Sequence, residues 1–288
     1  MPVPDVSVVI PTFRREKEVV EAVQSSLRQE GVSVEVIVLD DTPEGTARAT
    51  VEGIGDKRVR YVKRDIPSKG RPAVCRNEGA KMAQGRYITF LDDDDRHAPG
   101  ALRASVTVLD KNPDRGVTVG WVCPFGDDPE WLQNKKDYFE RAAQIGNGTE
   151  RSIWFAAHVL FLGTLYVNSA CLMRRVCHAG VGGVDPTIPV YEDVDFYLRA
   201  IRKYGHMYVN QPFLEYRTGK PSLMHNLGKD DTLVKQSNAM IHEKYRRDNG
   251  MVEYRFLQAT CRALPFEVAR QIPVPSAGVA GRLPNPVS

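Results

Sequence analysis

One stretch decides the fold of this chain: Arg86-Tyr87-Ile88-Thr89-Phe90-Leu91, followed directly by Asp92-Asp93-Asp94-Asp95. An apolar run that is rich in β-branched and aromatic side chains predicts a buried strand. Four adjacent carboxylates repel one another and raise each other's pKa unless a cation neutralises them. Ligands of open α/β sheets bind at the carboxyl ends of the strands. The stretch therefore predicts a site for Mg²⁺ or Mn²⁺ shared with a phosphate, and a solvated acidic turn is the simpler alternative.

Composition sets the broad class of protein. The chain has 288 residues, enough for one large α/β domain or one domain with an appended helical part. A net charge of only +3 argues against a nucleic-acid partner. The five cysteines are scattered and form no Cys-x-x-Cys pair, which favours a reducing, cytoplasmic setting over a zinc ribbon or disulfide scaffold. No signal peptide or membrane-spanning run is expected, and a peripheral membrane contact stays open.

The first part of the chain alternates between strand and helix patterns. Strands are predicted at 6–10, 34–39, 59–62 and 86–91, and helices at 16–29, 44–54 and 73–82. Such alternation with short connections predicts a parallel sheet with right-handed crossovers. The second strand ends in Asp40 and Asp41. These two carboxylates should therefore share one sheet edge with the four aspartates, although a helix cap or Asx-turn explains either pair alone.

The second part of the chain is less regular. Further strands are predicted at 117–122, 169–173, 207–209 and 213–217. Residues 125–148 show no clear periodicity and predict an irregular excursion or lid. A helix is predicted to begin at Tyr191, with Glu192 and Asp193 in its first turn, where the helix dipole favours carboxylates. Residues 231–270 read as helical with basic clusters, and 273–288 as an extended or disordered arm.

Taken together, these segments resemble the family 2 glycosyltransferases, inverting enzymes of the GT-A fold that use nucleotide sugars. The resemblance covers roughly residues 5 to 217, and the order and spacing of the motifs carry it. The matching segments are Val6–Phe13, Val36–Asp41, Arg71–Ala80 with an Arg-Asn-x-Gly signature, Gly85–Asp95 with the Asp-x-Asp metal motif, Gly182–Asp185, and Tyr191–Asp195 with the Glu-Asp catalytic motif.

The resemblance implies a fold and a domain organisation. The fold would be α/β, a GT-A, Rossmann-like arrangement with a mostly parallel central sheet flanked by helices and a helical C-terminal extension. The expected units are a glycosyltransferase domain at 1–225 with a nucleotide-binding half at 1–110 and an acceptor-binding half at 111–225, a helical extension at 226–272, and a flexible tail at 273–288.

The resemblance also implies roles for individual residues. Asp193 matches the general base, and Asp94 matches the metal ligand. His225 would be a further metal ligand, although a surface role is the alternative for a lone loop histidine. Asp41 would accept the ring N–H of a uracil or thymine. The nucleotide and donor sugar would contact Pro11, Thr12, Phe13, Asp41, Arg71, Asp92 and Asp93.

The implied function is a metal-dependent, inverting transfer of a sugar from a UDP- or dTDP-type donor to a hydroxyl of a glycan, lipid-linked or small-molecule acceptor. A sugar-phosphate nucleotidyltransferase would need a glycine-rich loop after the first strand, and residues 11–15 contain no glycine. A non-catalytic sugar-nucleotide-binding protein would show damaged motifs, whereas Asp41, Asp94 and Asp193 are present. The basic C-terminal helices could contact the inner face of the membrane, form a homodimer or stay solvated.

Overall fold

The computed structural model describes residues 3–68, 70–147, 149, 153–219 and 232–263. The strands are β1 (Val6–Thr12), β2 (Val34–Asp40), β3 (Val59–Lys63), β4 (Tyr87–Phe90), β5 (Arg96–His97), β6 (Val117–Phe125), β7 (Cys171–Arg174) and β8 (His206–Arg217). The helices are α1 (Glu18–Leu27), α2 (Arg48–Glu52), α3 (Pro72–Met82), α4 (Ala101–Lys111), α5 (Pro129–Asn147), α6 (Trp154–Phe161), α7 (Arg175–Gly180), α8 (Glu192–Tyr204), α9 (Thr232–Asn249) and α10 (Met251–Ala263).

These strands form one sheet in the order β3-β2-β1-β4-β7-β6-β8-β5. The first half is parallel: β1 pairs with β2 and β4, and β2 pairs with β3. The second half is mixed, because β7 runs antiparallel to both β4 and β6 while β6 and β8 are parallel. The predicted α/β class is therefore confirmed, with the parallel crossovers concentrated among β1 to β4.

Helices cover both faces of the sheet, which explains why the first strands are continuously apolar. Alternate side chains of each strand point to opposite faces. Val9 and Ile37 pack in one core cluster with side chains of α3, α6 and α8. Val8 and Val36 pack in a second cluster with side chains of α1 and α4. The helices cover the faces of the sheet and leave the ends of the strands uncovered. Polar groups can therefore collect at that edge.

Glycine at position 79 lets α3 lie close against the sheet. A Cβ atom there would lie 2.3 Å from Cγ1 of Val9, well inside van der Waals contact. Gly79 therefore fixes the distance between α3 and β1, and with it the position of Arg76 one turn earlier. Tyr191, the residue before α8, adopts the left-handed conformation with φ of 61°. Such a conformation is uncommon for residues other than glycine, and it directs the first turn of α8.

Two predictions for the second half are wrong. Residues 125–148 are predicted to be an irregular excursion, but they contain the helix α5. Few side chains of α5 are buried, so its apolar stripe is too narrow to show as helical periodicity. Residues predicted as two strands near 207–209 and 213–217 form the single strand β8. The pairing with β6 is irregular at the polar middle of β8, because Val209 pairs with Gly120 and Pro212 with Trp121, and the register skips the two polar residues between them.

The predicted helical C-terminal region is present as α9 and α10, which are separated by Gly250. Side chains from both helices, Ile241, Tyr245 and Leu257, join the core cluster that contains α6. None of the helices within the described ranges combines the length and the apolar composition needed to cross a bilayer. The predicted metal ligand His225 and the predicted tail at 273–288 lie outside the described residues.

Candidate active site

A cleft of about 1010 Å³ opens at the carboxyl edge of the parallel strands. This is the edge at which open α/β sheets bind their ligands. Side chains from both halves of the sheet and from α9 line it. Among the lining residues are these predicted ones: Pro11, Thr12, Phe13, Asp41, Arg71, Asp92, Asp93, Asp94 and Asp193. The fold thus brings together every predicted site residue that it describes.

Two of the four consecutive aspartates are bound to the protein itself. Asp93 accepts hydrogen bonds from the Thr12 hydroxyl at 2.8 Å and from the backbone N–H of Phe13 at 3.3 Å. Asp95 is 2% exposed and accepts the backbone N–H of Arg217 at 2.9 Å. Burial raises the pKa of both carboxyls, that of Asp93 to about 7. These contacts hold the turn after β4 in place.

The other two aspartates of the cluster offer oxygens to the cleft. Asp94 forms an ion pair with Arg15, and Asp92 accepts a hydrogen bond from Arg76 Nη2 at 2.9 Å. Burial raises the pKa of Asp94, the charge of Asp92 adds to the rise, and Arg15 opposes it. A bound cation would oppose this rise, because it favours the charged form of the carboxyl.

The carboxylate oxygens in the cleft are suitable ligands for a divalent cation. Carboxylate oxygens such as those of Asp92 and Asp94 are the ligands that Mg²⁺ and Mn²⁺ prefer. Across the described residues, no group of three or more His, Cys, Asp or Glu side chains is arranged to hold a metal. Mg²⁺ sites commonly use only one or two carboxylates and complete their coordination with substrate phosphates and water. The residues therefore fit a metal that binds together with a nucleotide.

Asp41 lies at the end of β2, in the part of the cleft where the nucleobase is predicted. Its carboxylate accepts the backbone N–H of Ser68 at 2.7 Å, the hydroxyl of Ser68 at 2.6 Å, and Nη1 of Arg64 at 2.7 Å. Burial alone would raise its pKa, but the hydrogen bonds from Ser68 and Arg64 outweigh burial and lower it. Asp41 is therefore an ionised, fixed acceptor beside the loop that contains Ser68.

The remaining predicted donor contacts surround the same end of the cleft. Phe13 is 44% exposed, so its ring is available for stacking on a planar ligand. Arg71 precedes the first turn of α3 and lines the cleft, while Pro11 and Thr12 form the end of β1. Their side chains close the floor and one side of the predicted base pocket.

Asp193 occupies the first turn of α8 and lines the same cleft. Burial raises its pKa to about 7, the charge of Glu192 adds to the rise, and Arg76 opposes it. Arg76 itself is 5% exposed and donates to Glu192 Oε1 at 2.5 Å as well as to Asp92. One buried guanidinium therefore connects the acidic turn after β4 with the helix that carries Asp193. A carboxyl with a pKa near 7 is suited to general-base catalysis.

Sequence reasoning missed several residues of this site. Arg76 lies within the Arg-Asn-x-Gly signature, so its motif could have identified it, and Arg15 follows the first strand closely. Asn168, Asn238 and His242 also line the cleft. No local signal marks these three, because they come from a short turn before β7 and from α9, far along the chain.

Comparisons with known proteins identify the family and the fold. The chain belongs to glycosyl transferase family 2, a family of enzymes whose model matches residues 7–163. That match confirms the family indicated by the motifs. It includes the first four strands, the acidic turn and α5, and it stops before Asn168 and Asp193.

Similar curated proteins come from bacterial polysaccharide pathways. The succinoglycan biosynthesis protein ExoO of Rhizobium meliloti is 41% identical over 108 residues, which are 38% of this chain and 30% of that protein. A putative colanic acid biosynthesis glycosyl transferase, WcaA of Escherichia coli, is 39% identical over 101 residues, 34% of this chain and 36% of that protein. The matched segment thus spans about a third of the length of these relatives.

A solved structure shows the same fold. Staphylococcus aureus TarS 1–349, crystallised in complex with UDP-GlcNAc, superposes with a TM-score of 0.65 over 91% of this chain and 77% of that chain. The two sequences are 15% identical, so the similarity establishes the fold and carries no information about the substrates. The predicted GT-A fold is confirmed.

Proposed function

We propose that this chain transfers a sugar from a nucleoside-diphosphate sugar, of the UDP or dTDP type, to a hydroxyl group of an acceptor with inversion at the anomeric carbon. One observation carries the proposal. The same cleft holds the carboxylates after β4 and, across the buried Arg76 bridge, a half-buried Asp193 whose pKa is raised to about 7. A donor-binding end and a base are thus joined in one site.

The chemistry assigns each residue a part. Asp41 would accept the ring N–H of the nucleobase, and Asp94 with Asp92 would hold Mn²⁺ or Mg²⁺ against the diphosphate. The cation would neutralise charge on the leaving group. Asp193 would take the proton from the acceptor hydroxyl while that oxygen bonds to the anomeric carbon and the bond to the diphosphate oxygen breaks. A single in-line displacement inverts the configuration at that carbon.

Names of the relatives support a saccharide acceptor, either a glycan or a lipid-linked one. A Campylobacter jejuni relative, 35% identical over 101 residues, is a GalNAc(5)-diNAcBac-PP-undecaprenol β-1,3-glucosyltransferase. A small-molecule acceptor is the alternative. The discriminating measurement is transfer of a radiolabelled sugar to undecaprenyl-diphosphate-linked and to water-soluble saccharides in parallel.

The experiment that tests the function is a release screen. Purified chain with Mn²⁺ is given UDP-, dTDP- and GDP-sugars, and nucleoside diphosphate release is measured with and without a saccharide acceptor. We expect release from a UDP- or dTDP-sugar that stops when the metal is chelated. Binding of a nucleotide sugar without any release would favour a non-catalytic binding protein, and the absence of both would refute the proposal.

A cytoplasmic location at the inner face of the membrane is part of this proposal. On α10, Met251, Val252 and Phe256 are exposed beside the exposed Arg255 and Arg262. Apolar and basic side chains on one helix favour contact with an anionic membrane. We expect the chain to sediment with phosphatidylglycerol vesicles more than with phosphatidylcholine vesicles, and Phe256→Ser to weaken this. A dimeric mass without vesicle binding would favour a homodimer surface instead.

A further inference from the structure

Asn168 is the polar side chain in the cleft that the described structure leaves without a partner. It is 3% exposed and lines the cleft, and neither Nδ2 nor Oδ1 forms a hydrogen bond to any of the described residues. Asn77 shows what a structural asparagine does, since its amide donates to Val184 O at 2.7 Å and accepts from Val184 N at 2.9 Å. A buried amide without partners costs free energy, so it points to a ligand that supplies them.

The segment around Asn168 contacts both acidic parts of the site, the turn after β4 and the first turn of α8. At one end, the hydroxyl of Ser169 accepts the backbone N–H of Asp92 at 3.0 Å. At the other end, the hydroxyl of Tyr166 donates to the backbone oxygen of Val194 at 3.0 Å, next to Asp193. Residues 166–169 therefore bridge the acidic turn after β4 and the first turn of α8.

The mechanism places one chemical group in this interval. In an in-line displacement the base and the leaving group lie on opposite faces of the carbon that is attacked. If Asp92 is near the diphosphate and Asp193 takes the acceptor proton, the transferred sugar ring must lie between them. Asn168 is therefore located where the hydroxyl groups of that ring would be.

The side-chain chemistry of Asn168 agrees with this position. An amide carries one acceptor oxygen and two N–H donors and has no charge, which matches hydroxyl groups that both donate and accept. A phosphate would instead need cations. Arg76 Nε, also in the cleft wall, likewise lacks a hydrogen-bond partner among the residues described. Two residues with unpaired polar groups thus line the cleft that contains Asp92 and Asp193.

We infer that Asn168 binds the donor sugar: its amide hydrogen-bonds hydroxyl groups of the hexose that is transferred and so contributes to the choice among nucleotide sugars. The inference rests on the proposed function and adds a residue that lies beyond the part of the chain matched by the family model. Sites built to hydrogen-bond a substrate hydroxyl discriminate strongly against substrates that lack it, because their own polar groups are then left unpaired.

The test separates sugar binding from nucleotide binding. Isothermal titration in Mn²⁺ measures the dissociation constants of UDP, UDP-glucose, UDP-galactose and UDP-N-acetylglucosamine, and of dTDP with dTDP-glucose, for wild type and for Asn168→Ala. We expect the dissociation constant of the preferred nucleotide sugar to rise about tenfold in the variant. One hydrogen bond is lost, and the sugar hydroxyl that formed it is left buried without a partner. The free diphosphate should bind within about twofold of wild type, because it makes no contact with Asn168.

Thermal unfolding gives a second readout. Because the amide of Asn168 has no partner among the described residues, Asn168→Ala should leave the melting temperature unchanged or raise it, whereas a structural asparagine would lower it. Asn112→Ala is the matched control, since Asn112 donates to Val108 O at 2.7 Å and lies away from the cleft. That variant should lower the melting temperature and keep both affinities.

Two outcomes would count against Asn168 as a sugar ligand, and a third would refute the proposed function. Wild-type affinity of Asn168→Ala for the nucleotide sugar would overturn the inference, as would equal weakening of diphosphate and nucleotide sugar together with a lower melting temperature. Failure of the wild-type chain to bind any of the six ligands would refute the proposed function itself, which is a different result from either of the others.

Discussion

The pH dependence of transfer follows directly from the surroundings of Asp193. Its pKa is raised to about 7 because the carboxyl is buried beside Glu192, with Arg76 opposing. A base acts only when it is deprotonated. With a pKa of about 7, roughly a tenth of the molecules carry the carboxylate at pH 6, about half at pH 7 and roughly nine tenths at pH 8. We therefore expect kcat/KM for the acceptor to rise about tenfold between pH 6 and pH 8.

The assay is the initial rate of acceptor-dependent nucleoside diphosphate release, measured across this range at constant ionic strength. Asp193→Asn removes the base while keeping the shape of the side chain. It should lower the rate by at least about a hundredfold and leave the dissociation constant of the donor within about twofold. Asp114→Asn is the control, because Asp114 is an exposed acid outside the cleft. A rate that is flat from pH 6 to pH 8, or wild-type transfer by Asp193→Asn, would refute the assignment.

Protein stability offers an independent check on the same carboxyl. Its folded-state pKa of about 7 is above the ordinary value of 3.8. The folded protein therefore holds a proton that the unfolded chain releases, so the contribution of Asp193 to stability is full below about pH 4 and is lost as pH rises to about 7. Asp193→Asn should thus raise the melting temperature at pH 8 and leave it unchanged near pH 3.5. Equal effects at both values would contradict a raised pKa.

Two further substitutions test the contacts of Arg76 and the proposed metal ligand Asp94. Arg76→Leu leaves the carboxylates of Asp92 and Glu192 without their shared cation, so it should lower the free energy of unfolding in urea by about 3 kcal/mol. It should also move the midpoint of the pH profile upward, and an unchanged midpoint would speak against the bridge. Asp94→Ala should abolish the gain in donor affinity on adding Mn²⁺, as titration would show, whereas Asp114→Ala should retain it. A full Mn²⁺ effect in Asp94→Ala would exclude Asp94 as the metal ligand.

The sequence by itself determined the parallel half of the fold and the edge at which the site lies. Hydrophobic periodicity is local, and strands such as β1 and β4 are apolar on both faces because helices cover both faces. Once two strands end in carboxylates, parallel pairing puts those ends on the same edge. Asp41 and the aspartates after Phe90 were therefore predictable without coordinates.

Hydrophobic periodicity did not predict the secondary structure where a helix buries few apolar side chains or where a strand pairs with a distant segment. The helix α5 buries too few apolar side chains to leave a pattern. The continuity of β8 depends on β6, which lies about ninety residues earlier and pairs with β8 on both sides of the register shift at Trp121. In both places the neighbouring elements decided what the local residues could not.

Only the tertiary structure decided how the acidic residues differ from one another. The sequence shows four equal aspartates, but Asp93 is held by Thr12 and Asp95 by the backbone of Arg217. Asp92 and Asp94 instead pair with arginine side chains that line the cleft. Their contacts come from segments distant in sequence, and burial sets each pKa. The unpaired amide of Asn168 is visible for the same reason, because whether a polar group has a partner is a property of the folded surroundings and not of the residue.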